Sequence, residues 1–175
     1  DVGVGRLPIS NAQQAQEMVD KILNYDKLML GTSPGTSCSS GSDGGASDWR
    51  NSILFTSDDQ TGDNFEGTIH MSHSETLAAK VELIKPCLNI SKVYMDAYVQ
   101  VSTPGGQRYP DAQEALRSRI QKGSLIVNYV GHGGEVGWAH ERLLDNETIM
   151  DWSNFDRLPL FVTATCEFTR WDDPG

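Results

Sequence analysis

Four short apolar runs, separated by amphipathic stretches, constrain this chain more than any other feature. The runs are Ser52–Thr56, Lys92–Ala97, Leu125–Val130 and Leu160–Ala164. Val93, Met95 and Ala97 share one face of the second, and the third is apolar apart from Asn128. Between them, Ser74–Lys85 places Leu77, Val81 and Ile84 at helical spacing and ends before Pro86. Asp111–Lys122 reads as another helix, stopped by Gly123 as a C-terminal cap. Strands that are almost wholly apolar and alternate with helices must be buried on both faces. That pattern predicts an α/β fold, a parallel sheet with helices above and below it.

The rest of the chain fits that frame. Residues 2–5 resemble the end of a strand, and Ser10 with Gln13 resembles a capping box opening a helix that carries Ala12, Ala15, Met18, Val19, Ile22 and Leu23. Residues 31–47 are Gly, Ser, Thr and Asp almost throughout, a flexible surface loop containing Cys38. A polar stretch runs from Gln60 to Gly67, and Asn146–Trp152 suggests a short helix. At 175 residues the chain is expected to form one domain spanning 1–175. Its ends, without an initiator Met or a signal sequence, suggest a piece of a longer protein whose address signal lies elsewhere. The 38% hydrophobic content excludes wholesale disorder, and no apolar run approaches the roughly 18 residues of a membrane span. With 24 acidic against 14 basic residues, a net charge of −10 argues against a general nucleic-acid or anionic-membrane binder. Three cysteines leave at least one thiol over; Cys38 and Cys87 are a possible pair in an oxidising compartment.

In open parallel sheets, ligands collect beyond the carboxyl ends of the strands. Two residues leave apolar runs there: His132, within Gly131-His132-Gly133-Gly134, and Cys166. An imidazole that accepts the proton of a thiol turns it into a strong nucleophile at neutral pH. Neighbouring parallel strands bring their ends to about 4.8 Å of each other, close enough for that pairing. The backbone N–H groups of Gly133 and Cys166 are candidate oxyanion donors. Trp138 and Trp171, shortly after each motif, are candidates for the walls of a substrate pocket, with packing under a lid as the alternative.

Other groupings carry less. His132, Glu135 and His140 lack the helical i,i+4 spacing of zinc peptidases, so no metal is assigned to them. His70 and His73 read as a solvated helix face. The glycine-rich loop lacks the Lys-Ser/Thr of a phosphate loop. Asp58, Asp59, Asp63 and Glu66 offer hard oxygen ligands, so Ca2+ is possible, but not in the order of an EF-hand.

An apolar block ending in His-Gly, followed after a spacer by a second block ending in Cys, resembles the cysteine peptidases of clan CD. The segments are Leu125–Gly133 and Leu158–Cys166. Gly131-His132-Gly133 followed by Trp138, Leu158-Pro159 before the last run, and the opening Asp1–Pro8 are similar to the gingipain family, C25. Thr165–Pro174 is most similar to the sortase subgroup of the type IX (Por) secretion system. One position departs from the pattern: the clan usually has Ala before the Cys, and here it is Thr165. The resemblance implies a caspase-like three-layer αβα sandwich, of which this chain is a piece. It implies no cofactor, and an endopeptidase or transpeptidase that removes the C-terminal sorting domain of secreted cargo. The cargo then passes to a surface lipopolysaccharide amine or to water. Cys166 would be the nucleophile, His132 the acid and base, and a carboxylate would orient the His. Glu75, 57 positions before His132, is the candidate by spacing, with Asp59 and Asp63 as rivals. The implied setting is the outer membrane and cell surface, among other outer-membrane proteins of the secretion system. A catalytically silent caspase-like scaffold of that machinery is the alternative.

Overall fold

The computed structural model describes residues 5–30, 48–59 and 66–168. Two compact units divide the chain, Asp1–Ser42 and Asp43–Gly175. The first contains helix α1 (Ala12–Leu30). Its cap is Asn11, one residue later than the expected Ser10 box: Asn11 Oδ1 accepts from the Gln14 N–H at 2.9 Å, and Gln14 Oε1 accepts from the Ser10 N–H at 2.7 Å. Asn caps a helix at least as well as Ser, so a shift by one position costs nothing. Gly5 is not in a strand, and residues 1–4 of the expected opening strand lie outside the described residues.

The second unit contains the sheet. Strands β1 (Ser52–Ser57), β2 (Asn89–Tyr94), β5 (Ile126–Val130) and β9 (Leu160–Ala164) form one four-stranded sheet in the order β2-β1-β5-β9, every pairing parallel. Side chains alternate across it. Leu54, Val93, Val127 and Tyr129 pack on one face with Ala112, Leu116 and Ile120 of helix α3 (Pro110–Lys122). Ile53 and Phe55 pack on the other with Ala78 of helix α2 (Glu66–Ile84), beside the partly buried Met71 and Val81. This is the expected three-layer arrangement. Gly123 caps α3 with φ of 99° and donates to the carbonyls of Arg119 and Ile120, a conformation that favours glycine.

Several boundaries differ from the sequence reading. Helix α2 begins at Glu66 rather than Ser74, because Met71 extends its apolar face onto the sheet. Strand β2 ends at Tyr94 rather than Ala97: its register with β1 runs from Ser52↔Asn89 to Ser57↔Tyr94, and residues Met95–Ala97 turn away as a 3-10 helix anchored by the fully buried Met95. The short helix α4 covers Asn146–Met150, capped by Asp145. Two small antiparallel sheets carry no strong sequence signal. One is the exposed hairpin β3 (Val101–Thr103) and β4 (Gly106–Arg108). The other comprises β6 (Gly133–Gly134), β7 (Gly137–Trp138) and β8 (Leu144–Asp145), which follow His132.

Candidate active site

Three neighbouring strands converge on one place. Val130 and Ala164 are register partners in β5 and β9, and His132 and Cys166 each follow two residues later. Ser57 of β1 is the register partner of Val130, and Asp58 is the next residue. The loops are tied where they leave the sheet: the Asp58 N–H donates to the Val130 carbonyl and the Gly131 N–H to the Ala164 carbonyl, both at 3.2 Å.

His132 is held from several sides. Asp58 Oδ2 lies 2.9 Å from its Nδ1 and accepts its backbone N–H, also at 2.9 Å. The Tyr129 hydroxyl donates to its carbonyl at 2.6 Å. Asp58 itself is 1% exposed, and its other oxygen accepts the Asp59 N–H at 3.0 Å. With Nδ1 on the carboxylate, Nε2 is the ring nitrogen left for chemistry. His132 and Cys166 line the same open cavity of about 550 Å³, together with His70 and Thr165. Cys166 is exposed and is a free thiol. It sits on a tight turn: Glu167 takes a left-handed φ of 51°, and the Phe168 N–H donates to the Cys166 carbonyl at 2.6 Å. A thiol that shares a cavity with an imidazole whose far nitrogen is on a buried carboxylate can be deprotonated, attack an acyl carbon, and have its leaving group protonated by the same ring.

The orienting carboxylate is thus Asp58, which takes the place expected for Glu75. Glu75 binds Lys92 Nζ at 2.8 Å, and the Lys92 and Tyr94 hydrogen bonds hold its carboxyl below the ordinary range. Asp59, a rival by spacing, alternates to the other side and accepts the Tyr109 hydroxyl at 2.7 Å. Asp63, Trp171 and Cys38 lie outside the described residues. Cys87 is in a disulfide. Trp138 is a core residue rather than a pocket wall: it is 0% exposed and stacks on Tyr129 with ring centroids 4.3 Å apart. His70, expected on a solvated face, instead lines the cavity, its ring edge-to-face with His132 at 5.0 Å. Gly133 is partly buried beside the Cys166 turn.

Of the acids grouped for Ca2+, Asp58 and Asp59 come together with Glu141, all three buried, their oxygens within 4.8 Å of one another. A hard cation would find its donors here. Without one, the crowding is relieved by proton retention. Burial first, then neighbouring Asp58, pushes the Asp59 carboxyl up against the opposing Tyr109 hydrogen bond; burial and Asp59 push Glu141 up. A raised carboxyl pKa means the folded state keeps its proton longer than the unfolded chain, so stability present below pH ~4 is lost as pH rises through the folded value. The melting-temperature difference between Asp59→Asn and the parent should therefore shift in favour of the variant from pH 4 to 7. A pH-independent difference would contradict this.

Gly133 is required for packing. A Cβ there would collide with Thr165 Oγ1 and lie 3.2 Å from the Cys166 carbonyl oxygen. Gly133→Ala should therefore destabilise by roughly 1–3 kcal/mol in urea titrations. Adding Thr165→Ala, which removes the colliding atoms, should recover most of it; additive losses would show that the strain lies elsewhere.

A helix-covered parallel sheet, with a thiol, an imidazole and a carboxylate at the ends of three adjacent strands, defines a caspase-like domain of cysteine-peptidase type. The chain belongs to peptidase family C25, whose family model matches residues 1–175. Its fold is similar to that of gingipain R, an Arg-specific cysteine proteinase, with a TM-score of 0.58 and 16% sequence identity over 90% of this chain. The chain spans 30% of that structure's length. No curated protein matches the sequence.

Proposed function

We propose that Cys166, His132 and Asp58 form the catalytic group of a C25-type cysteine peptidase. The observation that carries this reading is the Asp58–His132 pair, which fixes the ring at Nδ1 and leaves Nε2 for the cavity that Cys166 lines. Cys166 attacks the scissile carbonyl and forms a thioester. The N–H groups of Gly133 and Cys166 serve as oxyanion donors, and His132 gives its proton to the leaving amine. His132 then takes a proton from the incoming nucleophile, and the thioester breaks to regenerate the thiol.

The finer reading is a PorU-type sortase of the type IX secretion system. It acts on secreted cargo with a C-terminal sorting domain, in the outer membrane at the cell surface and alongside other outer-membrane components. Its support is the Thr165–Pro174 segment, and a disulfide at Cys87 that fits an oxidising compartment. The test is a peptide electrophile offered to the full-length protein. A covalent adduct mapped to Cys166 is expected; no adduct at that thiol would overturn the peptidase reading. Trimming and transfer of cargo to an amine acceptor would support the sortase, and hydrolysis of unrelated peptides alone would count against it.

A further inference from the structure

Resting on the reading of Cys166 and His132 as a peptidase pair, we propose that a second cavity beside His132 is a subsite for an acidic side chain of the substrate. It lies on the leaving-amine side of the scissile bond, and Arg142 and His140 are its donors. This cavity, of about 330 Å³, opens among β6, β7 and the turn that follows them. His132 lines both it and the cavity of Cys166. Cys166 is in the wall of the first only, and His140 and Arg142 are in the wall of the second only. In the reaction the acyl half of the peptide stays on the sulfur, while His132 gives its proton to the amine half. The residues after the cut therefore leave past His132, toward the second cavity.

The turn that supplies the donors is built at a conformational cost. Ala139 and Arg142 take left-handed φ of 60° and 56°, where neither has the freedom of glycine. Such backbone persists only where its surroundings hold it, and it concentrates at ligand clamps. Here the Ala139 N–H donates to the His132 carbonyl at 2.9 Å, the Arg142 N–H to the Ala139 carbonyl at 3.2 Å, and the Leu143 N–H to the Trp138 carbonyl at 3.0 Å. The Gln113 side chain of α3 donates to the Arg142 carbonyl at 2.6 Å. So held, the turn sets the His140 ring 5.5 Å from the His132 ring. Arg142 is exposed and forms no ion pair among the described residues. Its guanidinium offers five N–H donors and no acceptor, a fork that matches a carboxylate. Glu135, exposed at the tip between β6 and β7, also lines the cavity and opposes an anion. A basic side chain would have that one carboxylate against Arg142 and the His132 ring, which is protonated as the amine leaves, so the balance favours an acid.

The test is to give the full-length protein a randomised peptide mixture and read the residues after each cut from the new N-termini by mass spectrometry. Asp and Glu should exceed Asn and Gln in the first two positions after the cut by roughly three- to tenfold, the scale of a partly exposed Arg–carboxylate pair. Arg142→Gly should lose that preference while its melting temperature stays near the parent's, because glycine suits the left-handed backbone. Arg142→Lys should retain part of the preference, and Glu135→Gln should raise it. Arg117→Ala, on α3 and outside the cavity wall, should match the parent. Cuts without an acidic preference in the parent, or an equal preference in Arg142→Gly, would overturn the subsite and leave the peptidase reading intact. No cuts at all, with no adduct at Cys166, would overturn both.

Discussion

Cys166→Ala in the full-length protein is expected to reduce peptide cleavage by roughly 10⁴-fold or more, leaving only what binding and the oxyanion donors provide. The fold should be unchanged, because the side chain is exposed. Thermal unfolding of the parent and the variant should therefore coincide within a degree or two. Cargo should remain untrimmed in cells carrying the variant. Normal trimming would mean that the domain serves as a scaffold, and that another component of the machinery performs the cleavage.

The second large effect is expected at Asp58, and there the stability and the chemistry separate by the choice of substitution. Asp58→Ala removes the acceptor of the Asp59 N–H, the His132 N–H and the His132 ring in a position that is 1% exposed. Buried donors left without partners cost about 1–3 kcal/mol each, partly relieved by water entry, so a loss of roughly 3–5 kcal/mol in urea titrations is expected. Asp58→Asn keeps the shape and an acceptor oxygen for His132, but removes the charge that stabilises the imidazolium. Its stability loss should be smaller, and its kcat should fall on the order of 10⁴-fold. Alkylation of Cys166 should slow as well, because the ring that accepts the thiol proton loses the carboxylate that holds it. An unchanged alkylation rate in Asp58→Asn would show that the carboxylate does not act through His132.

The site was legible in the sequence as far as the chain announces it locally. His132 and Cys166 each close an apolar run, and a run followed by a glycine-flanked histidine or a cysteine marks the end of a buried strand. The third member was missed for a physical reason. Spacing along the chain favoured Glu75, but Glu75 lies beside Lys92, whose ammonium takes up its charge. A first run of Ser52–Thr56 leaves Asp58 grouped with Asp59 as a Ca2+ donor; the strand runs to Ser57, and one residue decides which of two adjacent acids faces His132. Alternation sends Asp58 to the imidazole and Asp59 to Tyr109. Trp138 was misplaced because an aromatic near a motif is as suitable for a core as for a cleft. Only the short sheet of β6, β7 and β8 turns it inward onto Tyr129.

The amino-acid order by itself determined the parallel sheet, its helical cover, and which two side chains stand at the strand ends. All of these follow from periodicities of two and 3.6 that are written in neighbouring residues. The tertiary structure alone decided that β5 lies between β1 and β9. Strand order is set by burial across the whole sheet and leaves no local trace, yet it brings Asp58 to one side of His132 and Cys166 to the other. The same holds for His70, carried to the cavity by a helix that begins eight positions earlier than its apolar pattern shows, at Glu66 rather than Ser74.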